Sequence, residues 1–265
     1  MTGVIITGAA GRMGRAMIRC SSDIKGLRIV GAVERPGDPA IGRDAGTVAG
    51  MEPSGVTVFD NLGAIPPADV LIDFSVHTAA AANVALAVRR HMAVVLGTTG
   101  LTESEGKLVR KAAKHTPVVW APNMSLGVNL LFALVNRAAA TLGLNYDVEI
   151  TEVHHKHKKD APSGTALKLA EEVAAGRKQK LDNVAVYGRR GQTGERPAGQ
   201  IAIHAIRMGD VVGDHTVCLA TEGERLELTH RATSRDALAL GALRAAMWVK
   251  GKKPGLYSMR DVLGL

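Results

Sequence analysis

The sequence predicts an α/β protein that joins a parallel-sheet domain to a second, α+β domain with a mixed or antiparallel sheet. Three observations predict this class. An apolar run at residues 4–6 ends in a glycine-rich turn, and strand patterns then alternate with helical patterns of ten to fifteen residues up to residue 120. From residue 200 to 231 strand-like runs follow one another with few helices between them. Such alternation is typical of parallel strands with right-handed crossovers, whereas consecutive strands indicate a separate sheet.

Composition limits the class of protein. The 265 residues are enough for two ordinary domains, and 46% hydrophobic with 22% charged residues is close to the globular average. We find no apolar run of the ~20 residues that a membrane span needs and no signal peptide, so we expect a cytoplasmic protein without a membrane partner. Cys20 and Cys218 are too far apart in sequence to predict a disulfide framework or a paired-cysteine zinc site.

The net charge of +8 raises the possibility of nucleic-acid binding. Acidic residues are interspersed almost everywhere, however, only 3% of residues are aromatic, and no nucleic-acid-binding motif is present. We therefore expect no nucleic-acid partner. An anionic ligand, such as a nucleotide cofactor or a di-acid, accounts more simply for a local excess of positive charge.

The first strand and helix enclose the glycine-rich turn. Residues 2–15 read TGVIITGAAGRMGR, with glycines at 8, 11 and 14, and a helix-like stretch continues to Cys20. Glycines at this junction let the backbone approach a pyrophosphate, and the N–H groups of a helix start favour negative charge. The spacing is one residue looser than GxGxxG, and such turns also occur for structural reasons alone.

The second strand, residues 27–33, ends at Glu34, twenty residues after Gly14. A carboxylate at this place binds the ribose of a dinucleotide. Arg35 follows, and its guanidinium could accept the 2′-phosphate of NADP. The pair therefore predicts tolerance of both NADH and NADPH, with a solvated charged pair at a strand end as the alternative.

The remaining strands of the first domain are predicted at residues 69–74, 93–96 and 117–120, with helices at 78–90 and 103–115. Ligands bind such sheets beyond the carboxyl ends of the strands. We therefore expect three turns to line one crevice, although each alone could be an ordinary turn. They are Gly8 to Met13, Gly97 to Thr99 and Ala121 to Met124.

The second domain begins with a predicted helix at 126–142 and a half-buried strand at 146–153. A second helix follows at 166–175, closed by Gly176 and capped by Ser163 or Asp160.

Three strands are predicted next, at about 200–207, 213–221 and 225–231, with a hairpin turn at 222–224. Residues 188–199, with four glycines and a proline, predict a long mobile loop. A helix at about 235–249 is expected to return the chain to the first domain.

A cationic cluster lies between the strand and the helix that open the second domain: residues 152–165 read EVHHKHKKDAPSGT. A metal is the first interpretation, but it needs neutral imidazoles, and the lysines interleaved with these histidines oppose a cation. No cysteine or carboxylate pair completes a zinc set either, so we expect no metal. A solvated loop remains open as an interpretation, because charge runs are usually surface features.

A di-anionic substrate uses more of these residues. The cations attract carboxylates, the amides of Gly164 and Thr165 at a helix start can hydrogen-bond one of them, and a nearby histidine can carry a proton. Neighbouring lysines also disfavour imidazolium, which leaves a neutral histidine available.

Four motifs together resemble the 4-hydroxy-tetrahydrodipicolinate reductase (dihydrodipicolinate reductase) family of bacterial and plant lysine synthesis. The resemblance covers nearly the whole chain in order, and the last motif is the most specific. The motifs are GAAGRMG at 8–14, GTTG at 97–100, APNMSLGVN at 121–129 and EVHHKHKKDAPSGTA at 152–166.

This resemblance implies an NAD(P)H-binding Rossmann-type domain at 1–125 and 235–265. It also implies a substrate-binding and oligomerisation domain at 126–234, whose sheet assembles a homotetramer, and a hinge closure that brings nicotinamide to substrate. The implied reaction is reduction of a cyclic dicarboxylate in the diaminopimelate route: a hydroxyl leaves as water, hydride adds to the ring, and protonation gives tetrahydrodipicolinate.

The resemblance also implies roles for single residues. His154 is implied as the general acid/base and Lys158 as the proton donor, while His155, Gly164 and Thr165 are implied as substrate ligands. NADPH or NADH is expected to contact Gly8, Ala9, Ala10, Gly11, Arg12, Met13, Glu34, Arg35, Gly97, Thr98, Thr99, Ala121, Pro122, Asn123 and Met124. Two other functions remain open from the residues alone: a dehydrogenase of another small acid, and a non-catalytic NADP-sensing regulator.

Overall fold

A computed structural model describes all 265 residues. The chain divides into two compact units, Met1–Leu126 with Arg235–Leu265, and Gly127–Ser234. The strands are β1 Thr2–Thr7, β2 Leu27–Val33, β3 Val58–Phe59, β4 Val70–Asp73, β5 Ala93–Leu96, β6 Pro117–Trp120, β7 Asp147–His154, β8 Ala185–Tyr187, β9 Ile201–Arg207, β10 Gly213–Thr221, β11 Glu224–Ala232 and β12 Gly255–Tyr257. The helices are α1 Arg12–Ser21, α2 Ala45–Val48, α3 His77–Arg89, α4 Glu103–Ala112, α5 Leu126–Leu142, α6 Gly164–Gly176, α7 Asp236–Val249 and α8 Met259–Leu263.

The first unit is built on a seven-stranded parallel sheet in the order β12-β6-β5-β4-β1-β2-β3. Every residue of β4 and β5 is buried, as expected for parallel strands covered on both faces. Residues of α1 and α7 form one apolar core with the sheet, and residues of α3 and α4 form another. The strand order reverses at β1, between β2 and β4, which is where such sheets open a crevice for ligands.

The second unit is built on a mixed five-stranded sheet in the order β11-β10-β7-β9-β8. β10 is antiparallel to both of its neighbours, whereas β9 is parallel to β7 and β8. Side chains of α5 and α6 pack against one face of this sheet in a separate core, which includes Val135, Leu169, Ile150 and Val217. We call this the inner face; the opposite, outer face carries the alternate residues of each strand. The predicted class, a Rossmann-type parallel sheet plus an α+β unit with a mixed sheet, is confirmed.

Most predicted elements occur within two residues of their expected ends. α4 is shorter than predicted and ends at Ala112, whereas α6 begins earlier, at Gly164. The hairpin loop contains only Glu222 and Gly223, and Gly223 has a φ of 87°, a conformation that glycine adopts readily. The elements that were not predicted are short ones: α2, β3, β8, β12 and α8.

Two expectations need correction. The stretch Leu126–Asn145 is long and apolar enough, by length and composition, to cross a membrane, although we expected no such run. Its buried residues, among them Leu131 and Val135, pack in the core of the second unit. The segment 188–199 has no helix or strand, as predicted, but Arg189 and Arg196 both bind Glu149 of β7, and these contacts anchor the segment to the sheet.

Candidate active site

The glycine-rich turn of the first unit depends on missing side chains. Gly8 has a φ of 75°, and a Cβ there would collide with the carbonyl oxygen of Phe74. A Cβ on Gly14 would collide with the carbonyl oxygen of Gly8. Gly11 precedes α1 and places no side-chain cap on the helix. The amides at the start of α1 therefore have no side-chain cap, a geometry that suits a phosphate.

A cleft of about 640 Å³ opens beside this turn, at the carboxyl ends of β1, β2 and β4. Five of the residues predicted to bind the cofactor line it: Gly8, Ala10, Gly11, Glu34 and Arg35. Residues that the sequence analysis did not single out also line it, including Thr7, Asp38, Asp60, Phe74, Ser75 and Arg89. The cleft coincides with the position at which the strand order reverses.

Glu34 ties the glycine-rich turn to the end of β2. Its Oε2 accepts a hydrogen bond from the amide of Ala10 at 2.9 Å, and its Oε1 accepts one from the amide of Arg35 at 3.0 Å. The Arg35 side chain is 82% exposed, and its Nε lies 3.8 Å from Asp38. A hydrogen-bonded carboxylate and an exposed guanidinium therefore lie at one edge of the cleft.

Asp73, at the end of β4, is a fully buried carboxylate that sequence analysis missed. It accepts hydrogen bonds from Thr7 Oγ1 at 2.8 Å, Asn83 Nδ2 at 2.7 Å, Thr98 Oγ1 at 2.5 Å and Ser75 Oγ at 2.9 Å. These donors come from β1, α3 and the turns after β4 and β5, so Asp73 joins the ends of three strands below the cleft.

The other predicted cofactor segments lie at strand ends, but they do not line this cleft. Gly97 and Thr98 follow β5: a Cβ on Gly97 would collide with the Phe74 ring, and Thr98 is buried against Asp73. Met124 is buried in the core, and its carbonyl lies against Gly241 of α7. The remaining ones are Ala9, which is buried, Arg12 and Met13, which begin α1, Thr99 after β5, and Ala121, Pro122 and Asn123 after β6.

The residues of the cleft fit a dinucleotide. The turn carries glycines at 8, 11 and 14, as a pyrophosphate-binding turn requires, and Glu34 offers a carboxylate one strand away. No group of three or more His, Cys, Asp or Glu residues in the chain is arranged to hold a metal ion.

In the second unit, β7 ends at His154, and the imidazole contacts Glu152 on the same strand. His154 Nδ1 lies 2.5 Å from Glu152 Oε2. Glu152 is fully buried. Its carboxylate also accepts hydrogen bonds from both terminal nitrogens of Arg207, at 2.8 Å each, and from the amide of Ser163 at 3.0 Å. Burial raises the pKa of Glu152, but the hydrogen bonds from Arg207, His154 and Ser163 outweigh it and hold the pKa below its usual range.

His215 of β10 lies opposite Glu152 in the sheet register and is 4% exposed. Its Nε2 lies 3.2 Å from Ser163 Oγ, and its ring meets the His154 ring edge-on at 5.2 Å. Burial, and then the proximity of His154, lower the pKa of His215 to about 4, so this imidazole is neutral at pH 7. The sequence analysis missed His215 because it occupies a regular strand pattern some sixty residues beyond the cluster.

Ser163 is the N-cap of α6, and its Oγ accepts a hydrogen bond from the amide of Ala166 at 3.2 Å. Gly164 and Thr165 are the first residues of that helix, and a Cβ on Gly164 would meet nothing within 4 Å. The helix start therefore has open space beside it. Asp160, the other residue predicted as a possible cap, instead forms an ion pair with Lys158.

Lys158 Nζ lies 2.9 Å from Asp160 Oδ2, and this contact lowers the pKa of Asp160. The carbonyl of Asp160 accepts a hydrogen bond from Arg207 at 2.7 Å, so Lys158 is linked through Asp160 and Arg207 to Glu152. His155 follows β7, and its amide donates to the carbonyl of Val211. The structure thus connects His154, Lys158 and the start of α6 through one buried carboxylate.

Comparisons with known proteins show which family the chain resembles over its whole length. The family model described as dihydrodipicolinate reductase, N-terminus, matches residues 2–124, and its C-terminal counterpart matches residues 127–263. The 4-hydroxy-tetrahydrodipicolinate reductase of Anaeromyxobacter dehalogenans (strain 2CP-C) is 53% identical over 100% of this chain and 98% of its own length. That of Magnetococcus marinus is 51% identical over 98% of this chain and 97% of its own length.

Solved structures share the fold. The dipicolinate-bound dihydrodipicolinate reductase from Paenisporosarcina sp. TG-14 has a TM-score of 0.77 and 24% identity, and the match covers 98% of each chain. GenD2 from gentamicin A biosynthesis, in complex with NAD, has a TM-score of 0.62 and 14% identity, over 99% of this chain and 90% of that one. At these identities the likeness concerns the fold alone.

Proposed function

The chain belongs to the dihydrodipicolinate reductase family, and we propose that its first unit binds the nicotinamide cofactor while its second unit binds the substrate. It is an oxidoreductase that catalyses NAD(P)H-dependent reduction of 4-hydroxy-tetrahydrodipicolinate to tetrahydrodipicolinate with loss of water, in the diaminopimelate route to lysine. One observation carries the assignment of the substrate site. His154 contacts the buried carboxylate of Glu152, and Glu152 also binds the N-cap of α6, whose first residue, Gly164, has open space beside it; all of these residues lie in the cationic segment.

The turn at 8–13 and Glu34 hold the cofactor in the cleft. The segments 97–99 and 121–124 follow β5 and β6 outside this cleft, and we assign to them the part of the cofactor that extends beyond it. When bound, reduced nicotinamide supplies the hydride. The carboxylate of Glu34 is positioned to accept a ribose hydroxyl, and the exposed guanidinium of Arg35 can turn toward a 2′-phosphate. We therefore assign both NADH and NADPH as cofactors.

Binding of the substrate uses the positive charge of the cluster. The amides of Gly164 and Thr165 at the start of α6 can hydrogen-bond one carboxylate, and His155 contributes a further donor. The nearby ammonium group of Lys158 attracts the doubly negative ring.

Proton transfer is assigned to His154 and Lys158. The reaction removes the hydroxyl with a proton as water, and it then adds one hydride and one proton across a double bond of the ring. His154 is the imidazole that gives or takes a proton at the substrate. Lys158 carries a proton on its ammonium and is the proton donor in this scheme.

We also propose that the protein acts in the cytoplasm as a homotetramer. The free thiols of Cys20 and Cys218 suit a reducing compartment. On the outer face of the second sheet, most of the alternate residues of β7, β9 and β10 remain partly or fully exposed, among them Val153, Ile206 and Thr216, whereas Ala202 is buried. An exposed sheet face of this kind is suited to packing against the same face of another copy.

A coupled assay tests the assigned roles. With the freshly made condensation product of pyruvate and aspartate semialdehyde, the protein should consume NADH or NADPH. His154→Ala and Lys158→Ala should each lose on the order of 100-fold or more in kcat while still binding NADPH, because each removes a proton-transferring group.

Lys159→Ala is the matched control, since it removes an exposed lysine of the same segment and should leave kcat unchanged. Unchanged turnover in both His154→Ala and Lys158→Ala would contradict the assigned roles. Consumption of the cofactor only with a sugar acid or a semialdehyde would instead favour a different dehydrogenase.

A further inference from the structure

The buried carboxylate behind His154 has a role that the proposed function does not assign. We propose that Glu152, clamped by Arg207, is a positioning residue that keeps the hydrogen of His154 on Nδ1 and so leaves Nε2 as the proton-exchanging nitrogen. The inference rests on the proposed role of His154. It explains why a fully buried carboxylate lies at the end of a strand that otherwise buries Val148 and Ile150.

The hydrogen-bond pattern around Glu152 indicates that its side chain is an ionised carboxylate. Four donors converge on its two oxygens: two nitrogens of Arg207, the amide of Ser163 and Nδ1 of His154. A carboxylate is acceptor-only and satisfies all four, whereas a protonated carboxyl would direct a hydrogen at one of these donors. Because Glu152 is ionised and carries no hydrogen, the hydrogen in the 2.5 Å contact belongs to Nδ1 of His154.

Gly213 of β10 lies on the other side of the imidazole. A Cβ on Gly213 would lie 2.9 Å from Nε2 of His154, so the glycine leaves room beside that nitrogen. His215 meets the ring edge-on and bonds Ser163 rather than Nε2. A ring held through Nδ1, with no side chain from Gly213 beside Nε2, keeps one orientation, which is what acid/base chemistry requires of a histidine.

Titratable and charged groups approach this pair from every neighbouring element. Arg207 comes from β9 and His215 from β10, and the segment between β7 and α6 contributes Lys158 and Asp160. His230 of β11 faces His215 one strand further away. Arg207 is the group among them that contacts both oxygens of Glu152 directly.

Glu149 provides a matched control on the same strand. It also binds arginines, Arg189 and Arg196, and its Oε2 lies 2.6 Å from Nε2 of His204. It differs in facing the outer side of the sheet, away from the side on which α6 packs. Glu149 is therefore also a glutamate bound to arginine and histidine side chains, but it lies on the opposite face of the sheet from His154.

The experiment combines steady-state kinetics with ¹⁵N NMR of the histidine rings in the full chain. The signals of His154 are identified as those that are absent from the spectrum of His154→Gln. In the wild type, at a pH at which the His154 ring carries a single hydrogen, Nδ1 should show the shift of a protonated nitrogen. In Glu152→Gln the amide can donate to Nδ1, so the hydrogen should move to Nε2. The expected loss in kcat is on the order of 100-fold, with an unchanged KM for the cofactor.

Matched variants separate positioning from folding. Glu149→Gln should keep both kcat and the His154 tautomer, and Arg207→Gln should keep the tautomer because Glu152 is still present. Should Glu152→Gln fail to fold, the double variant Glu152→Gln with Arg207→Gln removes the buried charges together and is measured instead.

Two results would overturn the inference: a wild-type His154 with its hydrogen on Nε2, or a Glu152→Gln protein with the kcat of Glu149→Gln. Failure of the proposed function is distinguishable, because His154→Ala itself would then retain turnover. A purely structural Glu152 would lower stability without moving the hydrogen on His154.

Discussion

At the scale of single residues, Gly213 matters because a side chain at this position would crowd His154. In Gly213→Ala the new methyl group would lie 2.9 Å from His154 Nε2, so either the imidazole or β10 must shift. We expect a loss of kcat together with a loss of about 1–3 kcal/mol in the free energy of unfolding, as for other overpacked sites. Steady-state kinetics and urea unfolding measure the two effects, and full retention of kcat would show that Nε2 needs no open space.

His215 makes a prediction about pH. The pKa of this buried imidazole is about 4 in the folded protein and near 6.5 when unfolded. Between these values the unfolded chain binds more protons, so stability is full above pH 6.5 and decreases as the pH falls toward 4. The single group should contribute about 3 kcal/mol to this decrease.

Urea unfolding at several pH values measures the effect in the wild type and in His215→Gln, which cannot titrate. The decrease between pH 6.5 and 4 should be smaller in the variant. Parallel pH curves would mean that His215 titrates normally in the folded protein. The decrease from Glu149 occurs at lower pH: burial raises its pKa, but hydrogen bonds from Arg189, His204 and Arg196 lower the pKa to about 2.

At the scale of elements, the start of α6 depends on Ser163. Ser163→Ala removes the cap that receives the Ala166 amide and the contact with His215. We expect a loss of about 1 kcal/mol in the free energy of unfolding, and weaker binding of pyridine-2,6-dicarboxylate because the amides of the first turn are less ordered. Ser163→Thr keeps the hydroxyl and should restore most of both properties; equal losses in Thr and Ala variants would contradict the capping role.

The elements differ in how well the sequence predicts them. β4 and β5 are continuous apolar runs and α5 is a long periodic one, so their positions follow from pattern alone. β3 and β12 have two and three residues, too few for a periodicity, and their places at the sheet edges depend on strands far away in the chain.

The residues of the candidate site also differ in how well the sequence predicts them. The glycine turn and the cluster around His154 are local, so residue types and spacing indicate them. Asp73 and His215 become site residues only through partners up to 66 and 61 positions away, Thr7 and His154, and no local pattern indicates such contacts.

At the scale of the whole molecule, the outer face of the second sheet predicts self-association. Thr216 of β10 lies on this face between two neighbouring strands, in register with Thr151 of β7 and Thr229 of β11. Thr216→Asp introduces a charge there, and we expect it to dissociate the proposed homotetramer, because burying an unpaired carboxylate in an interface is costly. Sedimentation analysis measures the mass; a variant with the mass of the wild-type assembly would place the interface elsewhere, and circular dichroism controls for folding.

The central claim is that the cluster at the end of β7 and the start of α6 binds the doubly negative ring. Calorimetric titration of pyridine-2,6-dicarboxylate into the NADH-loaded protein tests it most directly, comparing the wild type with His155→Ala/Thr165→Ala and with the control Lys159→Ala. We predict that the double variant binds the acid at least about tenfold more weakly while Lys159→Ala matches the wild type. Equal affinity in all three proteins would place the acid outside this cluster and contradict the account.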